Sequence, residues 1–414
     1  MLDPKLLEQN PKVLESTLRV RGMLDLLEDA KKFLKLREDW KKLKKKVDDL
    51  RHERNKISLE INEAIKRKKK KEAELKKKEA KKIAEDVRKA EDKIAKYEKI
   101  LEDGSLKFPN IPAADVPLKD KIVSIHGEAK REKFHKTYEE IAKSLGLIDF
   151  DSAITMSGSG FYTLVGKGAK LERTLINFFL DLHEKQGYKE MLTPLLVSEK
   201  SMINSGQLPK FKDAMFKTQE DLYLIPTSEV SLLNLYADKI LHEQQLPIKV
   251  TAFSPCFRTE KGATKGIFRV RQFSKVEMFK FTRQEESFKE LDGMLKDATA
   301  VLDLLGIPYR VKLLSAPEMG FASAKTYDIE AFAPGLNEWL EVSSVSNCTD
   351  FQARRAKIRY ISGQEKKLVH TLNGSGLAVP RTIIALLENY QQKDGSIKIP
   401  QALEKYFGAR KIEK

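Results

Sequence analysis

The sequence predicts an α+β protein, with an antiparallel β-sheet core flanked by helices and preceded by a long helical hairpin. Apolar residues recur in steps of three and four between residues 31 and 103, as expected for coiled-coil helices. From about residue 120, strand-like segments follow one another directly, which favours an antiparallel sheet over a doubly wound parallel one. With 414 residues, the chain is long enough for both parts.

The hairpin is predicted to be an antiparallel coiled coil with its turn in the lysine-rich tip over 66–82. Gly104 is expected to cap its second helix, and residues 105–119, with three prolines, are expected to form a linker. The sequence therefore divides into an N-terminal domain over 1–104 and a second domain over 120–414. The apolar seam consists of Phe33, Leu36, Trp40, Leu43, Val47, Leu50, Ile57 and Ile61, followed by Ala80, Ile83, Val87, Ala90, Ile94, Tyr97 and Leu101.

Positive charge is concentrated in this hairpin. Residues 31–103 contain 28 basic and 17 acidic residues, whereas the rest of the chain contributes only +5 to the net charge of +16. The lysine-rich tip of the hairpin is either a solvated helical face or a site that contacts RNA phosphates. The length of the hairpin favours contact with RNA. The predicted RNA-binding lysines at the tip are Lys68, Lys69, Lys70, Lys71, Lys76, Lys77 and Lys78.

Cysteine and histidine usage indicates a reduced compartment and no structural zinc. The two cysteines, Cys256 and Cys348, lie far apart in the sequence, and the six histidines show no metal-ligand spacing. The N-terminus lacks the pattern of a secretory signal, and no stretch of about 18 apolar residues occurs. We therefore expect a cytosolic, soluble protein that does not associate with membranes.

In the second domain, residues 250–281 carry the most informative pattern. Two predicted strands flank the loop EKGATKG, and alternate residues of a strand share a face. Arginines, a phenylalanine and a carboxylate on one face fit a nucleotide site, although salt-bridged sheet faces are also common. Arg258 and Glu260 are predicted on one face of the first strand. On the second strand, the prediction places Arg269, Arg271, Phe273, Lys275 and Glu277 on one face and Phe268, Val270, Val276 and Met278 in the core.

Two further segments are candidate ligand contacts. Residues 339–355, WLEVSSVSNCTDFQARR, place Glu341 in a strand that is either an edge strand or a contact for magnesium and phosphate. Residues 371–382, TLNGSGLAVPRT, combine two glycines with Arg381 at a helix start, which is either ordinary surface or an anion site. The predicted helices are 170–186, 228–243, 286–305 and 381–392, and the predicted strands are 190–197, 222–226, 249–258, 267–281, 325–333 and 338–346.

These segments resemble the three signature motifs of class II aminoacyl-tRNA synthetases, and specifically those of the seryl-tRNA synthetase family in its bacterial form. The first is GYKEMLTPLLVS, the second runs from FRTE to RQFSKVEMF, and the third is GSGLAVPRTIIALLENYQ. TSEV at 227–230, GQLPKF at 206–211 and KTYDIE at 325–330 also match, as does the N-terminal hairpin. The resemblance covers essentially the whole chain.

The resemblance implies a homodimer that joins serine to ATP as seryl-adenylate and then transfers serine to tRNA(Ser), with tRNA(Sec) as a further acceptor. Catalytic roles are implied for Arg258, Glu260 and Arg381. The implied ATP contacts are Arg258, Thr259, Glu260, Arg269, Val270, Phe273, Glu341, Val342, Ser343, Ser344 and Arg381, with Mg²⁺ held by Glu341 and Ser344. The implied serine contacts are Thr227, Ser228, Glu229, Arg258, Glu277 and Ser375.

Three departures from the family pattern bear on transfer to tRNA. The loop between Arg258 and Glu277 is about four residues shorter than the usual bacterial form, Arg271 stands where histidine is common, and Pro380 replaces a frequent glycine. One alternative is therefore a relative that forms seryl-adenylate but passes serine to another acceptor. A second alternative is a non-catalytic RNA-binding descendant, and the retained arginines and glutamates argue against it.

Overall fold

The computed structural model describes residues 1–260 and 266–414, so the core of the EKGATKG loop lies outside the described residues. The chain forms two compact units, one of residues 4–108 and one of residues 1–3 with 109–414. We refer to them as the arm unit and the sheet unit. None of the helices in the described part of the chain is long and apolar enough to cross a membrane.

The arm unit is a helical hairpin preceded by two short helices. Trp40 donates a hydrogen bond to Glu98 at 3.3 Å, and Arg51 pairs with Glu91 at 2.7 Å. The residue numbers rise along the first long helix while those of their partners fall along the second, so the two long helices are antiparallel. At 1.5 Å per residue, the longer helix extends about 60 Å. The helices are α1 (Pro4–Gln9), α2 (Lys12–Val20), α3 (Leu27–Lys66) and α4 (Lys70–Ser105).

The hairpin seam contains the residues that the period predicts. Val47 and Ile57 of α3 pack against Ile83 and Val87 of α4, and all four are buried. The predicted cap at Gly104 is wrong, because α4 continues through Ser105. Glycine is required there for a packing reason instead, since a Cβ at this position would lie 3.1 Å from the ring of Phe33.

The sheet unit contains a mainly antiparallel sheet, as predicted. Within the described residues, its strands lie in the order β1-β10-β11-β12-β15-β9-β8-β4, and the pairing of β4 with β8 is the parallel one. The strands are β1 (Lys121–His126), β2 (Ile148–Asp149), β3 (Thr163–Leu164), β4 (Lys189–Glu190), β5 (Leu196–Val197), β6 (Tyr223–Leu224), β7 (Ile240–His242), β8 (Ile248–Phe257), β9 (Gln272–Thr282), β10 (Tyr309–Leu313), β11 (Lys325–Ala333), β12 (Glu338–Asn347), β13 (Arg359–Ser362), β14 (Glu365–Leu368), β15 (His370–Ala378), β16 (Ile397–Lys398) and β17 (Lys411–Ile412).

Helices cover both faces of this sheet. Helices α7, α10 and α12 pack over a core that includes Val276 and Met278 of β9, whereas Phe279 and Phe281 face a second cluster with α9 and α11. The alternation along β9 thus directs successive residues to opposite faces. The helices are α5 (Tyr138–Leu145), α6 (Phe150–Ser157), α7 (Lys167–Lys185), α8 (Glu199–Ser205), α9 (Glu229–Asn234), α10 (Ser287–Leu305), α11 (Phe351–Ala356), α12 (Val379–Tyr390) and α13 (Gln401–Phe407).

Several predicted elements have different boundaries in the structure. The strand predicted over 190–197 is two short strands, β4 and β5, with residues 191–195 outside both, and the strand predicted over 267–281 begins at Gln272. The helix predicted over 228–243 is wrong beyond Asn234, because Asp238 has a positive φ of 60° and β7 then pairs with β13. Apolar residues at helical spacing continue past this turn, so periodicity alone could not place the end. The two glycines before Arg381 lie in strand β15, between β12 and β9 at the centre of the sheet.

Truncating the hairpin seam should destabilise the arm unit. In Ile83→Ala, the lost burial and the residual cavity should lower the free energy of unfolding of the hairpin by about 2–4 kcal/mol. Leu75→Ala in the same helix is the matched control, because Leu75 is exposed and should change stability by less than about 0.5 kcal/mol. Thermal unfolding followed by far-ultraviolet circular dichroism measures both, and equal effects would contradict the seam.

Candidate active site

The candidate site is a cavity of about 320 Å³ in the sheet unit. Its floor is formed by the central strands β9, β12 and β15, and its walls include the ends of α8 and α12. The register places Glu277 of β9 opposite Ser375 of β15 on one side and Ala252 of β8 on the other. Because these strands are hydrogen-bonded neighbours, the sheet itself brings the side chains of one face close together, and no loop is needed to place them.

A buried ion pair lies at one end of the cavity. The ammonium group of Lys275 contacts the carboxylate of Glu277, and the two side chains are 9% and 2% exposed. Thr227 donates a hydrogen bond to the same carboxylate at 2.9 Å and accepts one from Lys275 at 3.0 Å. A buried charge needs such a partner, because its desolvation is costly. Lys275 and Thr227 thus hold the carboxylate of Glu277 in a fixed position at the cavity.

A second carboxyl group, that of Glu229, lies at the start of α9 beside this pair. Its Oε1 accepts hydrogen bonds from Gln352 at 2.5 Å and from Asn373 at 3.4 Å, and both donors are neutral amides. Burial, together with the smaller effect of the negative charge of Glu277, raises the pKa of Glu229 to about 7. The two neighbouring carboxyl groups therefore differ in their partners. Glu277 is paired with the ammonium group of Lys275, whereas Glu229 accepts hydrogen bonds from neutral amides.

Guanidinium groups and aromatic rings line the other end of the cavity. The Arg258 guanidinium lies 5.0 Å from the ring centroid of Phe273, and that of Arg381 lies 4.7 Å from the ring centroid of Phe268. Arg269 pairs with Glu260 at 2.6 Å. Flat rings suit a nucleobase, and guanidinium groups suit phosphate oxygens. This end of the cavity can therefore accept a nucleoside phosphate.

Carboxylate and hydroxyl oxygens of β11 and β12 lie beside Arg381. Its Nη1 donates to the main-chain oxygen of Glu341 at 2.7 Å and lies 3.5 Å from the carboxylate of Glu341. Burial raises the pKa of Asp328, and the nearby negative charge of Glu341 adds to the effect, whereas a hydrogen bond to Ser344 opposes it. The described residues include no group of three or more metal-ligating side chains of the His, Cys, Asp and Glu types. A bare ion would therefore need oxygen ligands from elsewhere, such as phosphate.

The structure brings together most of the predicted site residues. Ser228 does not line the cavity, because its hydroxyl is buried 2.6 Å from that of Ser254. Thr259 is also absent from the lining, since its hydroxyl donates to the Asp213 carbonyl at 3.0 Å. The predicted residues that line the cavity are Thr227, Glu229, Arg258, Glu260, Arg269, Val270, Phe273, Glu277, Glu341, Val342, Ser343, Ser344, Ser375 and Arg381.

Sequence reasoning assigned some residues of the second strand to the wrong face. Phe268 and Val270, which alternation predicts in the core, also line the cavity, although Val270 is buried and Phe268 packs against the main core. Strand β9 begins only at Gln272, so strand alternation does not apply before it. Arg271 points elsewhere and donates to the Thr259 carbonyl at 2.9 Å. Sequence patterns do not identify the amides of Gln352 and Asn373 as partners of Glu229, although both lie in the candidate segments 339–355 and 371–382.

Comparisons with known proteins agree with this geometry. The model for the seryl-tRNA synthetase N-terminal domain matches residues 1–112, and that for the class II tRNA synthetase core domain (G, H, P, S and T) matches residues 211–390. A serine–tRNA ligase of Caldicellulosiruptor saccharolyticus is 49% identical over 423 residues, with 99% of each chain covered. The chain belongs to the seryl-tRNA synthetase family.

Solved structures of seryl-tRNA synthetases share the whole fold. The enzyme of Pyrococcus horikoshii, crystallised with ATP, superposes with a TM-score of 0.95 at 35% identity and covers 100% of this chain and 99% of its own. The cytoplasmic enzyme of Naegleria fowleri, crystallised with AMP, gives a TM-score of 0.86 at 30% identity, with 98% and 96% covered. The family and the fold class predicted from the sequence are both confirmed.

Replacing Glu229 by glutamine should change how stability depends on pH. A carboxyl pKa raised in the folded state means that the unfolded chain loses its proton first, so stability falls as pH rises from about 4.5 to about 7. Glutamine cannot ionise, so the stability of Glu229→Gln relative to the wild type should rise by roughly 2–3 kcal/mol between pH 4.5 and pH 8. Urea unfolding of the ligand-free protein at several pH values measures this, and a pH-independent difference would contradict the raised pKa.

Proposed function

We propose that the protein is a serine–tRNA ligase, which activates L-serine with ATP and transfers it to the 3′ end of tRNA(Ser). The observation that carries this proposal is the division of one cavity into two chemically distinct ends. Arg258 and Phe273 supply contacts for a nucleoside phosphate, and the buried Glu277 supplies a contact for an ammonium group. An amino acid and ATP are the pair of ligands that needs both ends at once.

In the activation step, a serine carboxylate oxygen attacks the α-phosphorus of ATP. An oxygen–phosphorus bond forms, the bond to the β-phosphate oxygen breaks, and pyrophosphate leaves. This displacement requires alignment and neutralisation of charge rather than a proton-transfer group. We assign Arg258 to the α-phosphate and the serine carboxylate, Phe273 to the adenine and Arg381 to the γ-phosphate. Glu260 lies 2.6 Å from Arg269 and belongs to the same ATP site.

Serine recognition is assigned to the carboxyl end of the cavity. Glu277 would accept hydrogen bonds from the serine ammonium group, with Thr227, Glu229 and Ser375 around the amino acid. An alanine would leave the partners of the serine hydroxyl unsatisfied in a buried site, which is costly. Ser375 is 9% exposed, and its main-chain oxygen accepts a bond from Ser343 at 2.6 Å, which fixes the strand beneath the ligand.

Magnesium would enter this site together with ATP. Mg²⁺ is usually bound through one or two carboxylates plus substrate phosphates rather than through a complete protein cage. Glu341 and Ser344 offer hard oxygen ligands next to Arg381, so the residues present fit the ion. When bound, Mg²⁺ would neutralise charge on the phosphates, and the guanidinium group of Arg381 would add a further positive charge beside them.

The arm unit supplies the features that an RNA acceptor requires. Lys68, Lys70, Lys71 and Lys78 at the tip are exposed and form no ion pair with any residue that the structure describes. Lys69, Lys76 and Lys77 pair with neighbouring glutamates at 2.9 Å. These lysines are proposed to bind phosphates of tRNA(Ser), with tRNA(Sec) as a second acceptor to be tested. The retained arm argues against the alternative of a non-RNA acceptor.

A homodimer and a cytoplasmic location complete the proposal. Leu192 and Leu196, on either side of Pro194 and after the edge strand β4, are 95% and 46% exposed, and this exposed apolar segment supports an interface at this edge. Charging of tRNA serves translation, so we place the reaction in the cytoplasm.

Removing the charge of Glu277 should impair activation of serine. In Glu277→Gln, loss of a charge-assisted bond to the ammonium group should lower kcat/KM for serine by roughly 30- to 100-fold in serine-dependent ATP–pyrophosphate exchange. Glu365→Gln, an exposed carboxyl group in β14, is the control and should exchange normally. Exchange at the wild-type rate in Glu277→Gln would exclude the assigned role.

Neutralising the tip of the arm should weaken tRNA binding without affecting activation. In the alanine variant of Lys68, Lys70, Lys71 and Lys78, the salt dependence of tRNA affinity should become shallower, by up to about 0.9 logarithmic units per lost phosphate contact. Pyrophosphate exchange should not change.

The matched control replaces Lys89, Lys93, Lys96 and Lys99, which lie further from the tip on the same helix. Equal losses of tRNA affinity in the two variants would show that the tip has no special role.

A further inference from the structure

The ammonium-binding end of the cavity contains two carboxyl groups but one bonded cation. Glu229 and Glu277 both line the cavity, and Lys275 contacts Glu277. Among the residues that the structure describes, no ammonium or guanidinium group forms an ion pair with Glu229. With all three side chains charged, this end would carry one uncompensated negative charge inside the protein.

The hydrogen bonds of Glu229 leave one of its oxygens available for a proton. Gln352 and Asn373 both donate to Oε1, and Oε2 accepts no hydrogen bond from any side chain or main-chain group in the described ranges. The amide of Gln352 cannot simply turn round, because its oxygen accepts from Thr371 at 2.7 Å and its nitrogen also donates to the Ser205 carbonyl at 3.0 Å. Glu229, which lines the cavity, is thus held through one of its two carboxyl oxygens.

Each element packed around Glu229 contributes a known set of charged or titratable groups. Strand β9 contributes Lys275 and Glu277, and Arg258 follows strand β8. The Arg258 guanidinium already stacks on Phe273 and donates to the Pro226 carbonyl at 3.4 Å. Strand β15 and helix α11 contribute neutral amides, and the buried thiol of Cys348 accepts a bond from Asn373 at 3.4 Å. Helix α11 also carries Arg355, which donates to the carbonyls of Ile203 and Leu208, and Arg354, which pairs with Asp350. None of these groups supplies a second cation bonded to Glu229.

We propose that Glu229 is protonated in the ligand-free protein and releases its proton to solvent when the ammonium group of the amino acid binds. The ligand brings one positive charge, the carboxyl group gains one negative charge, and the end of the cavity stays neutral in both states. No bond of the substrate changes in this step. The inference rests on the proposed function, because it requires an ammonium-bearing ligand in this cavity. Glu277, paired with Lys275, would hold the ammonium group in position, and Glu229 would adjust the charge.

Serine binding should therefore strengthen as pH rises through neutrality. The pKa of Glu229 lies near 7 in the ligand-free protein, mainly because of burial, and a bound ammonium group lowers it. If the ionised form is the one that binds, the apparent Kd for serine falls about tenfold between pH 6 and pH 8. The amino group of serine itself titrates at higher pH, so it stays charged across this range.

Isothermal titration of the full-length protein with L-serine at pH 6.5 tests the inference. The binding enthalpy is measured in buffers with different ionisation enthalpies, and its slope gives the number of protons released. We expect release of most of one proton in the wild type and none in Glu229→Gln, whose Kd should not vary between pH 6 and pH 8. Glu172→Gln is the matched control: burial also raises the pKa of Glu172, but this residue lines a different cavity, so proton release should match the wild type.

Two outcomes separate this inference from the proposed function. Serine binding by the wild type without proton release would overturn the inference and leave the proposed function standing. The wild-type measurement decides this even if Glu229→Gln does not fold. An absence of serine binding at every pH would contradict both.

Discussion

The buried ion pair between Lys275 and Glu277 is the interaction on which the rest of the site depends. Both residues lie on β9, two positions apart, so strand alternation directs them to the same face of the sheet. A carboxylate that is 2% exposed is stable in this place because Lys275 and Thr227 contact it. Since β9 is paired on both sides, by β15 and by β8, the position of this charge is set by the hydrogen bonds of the sheet.

The same strand also separates the two kinds of chemistry in the cavity. Phe273, near its start, lies beside the guanidinium group of Arg258, whereas Glu277 lies further along and faces the amino-acid end. Four residues of strand span about 13 Å at 3.3 Å per residue. A nucleotide base and the ammonium group of an amino acid can therefore be held on one rigid element, which reduces the freedom that must be lost before reaction.

The repeat of apolar residues along the chain predicts the parts of the fold that this repeat determines. The apolar seam of the hairpin and the alternation of β9 from Phe273 onward follow directly from periods of 3.5 and 2. Alternation fails just before β9, because the start of a strand is not encoded in it: Arg269 lines the cavity as predicted, whereas Arg271 does not. Gly104 was taken for a helix end, although it makes room for the ring of Phe33, a residue distant in the sequence.

Contacts between distant segments explain what remained unpredicted in the site. The bond from Gln352 to Glu229 joins residues 123 positions apart, and that from Asn373 joins residues 144 apart. The spacing of residues along the sequence does not predict such distant pairs, so the amide partners of Glu229 are seen only in the folded structure. Ser228 shows the opposite case: it belongs to a motif that matches the family, but its hydroxyl is buried against Ser254. A motif therefore fixes the segment more reliably than the direction of each side chain.

A crystal structure of the protein with a non-hydrolysable analogue of seryl-adenylate tests the assignment of the two cavity ends most directly. We expect the ammonium group of the analogue within hydrogen-bond distance of Glu277, with the adenine stacked on Phe273 and the phosphate mimic at Arg258. An ammonium group placed away from Glu277, or an adenine bound outside this cavity, would contradict this assignment.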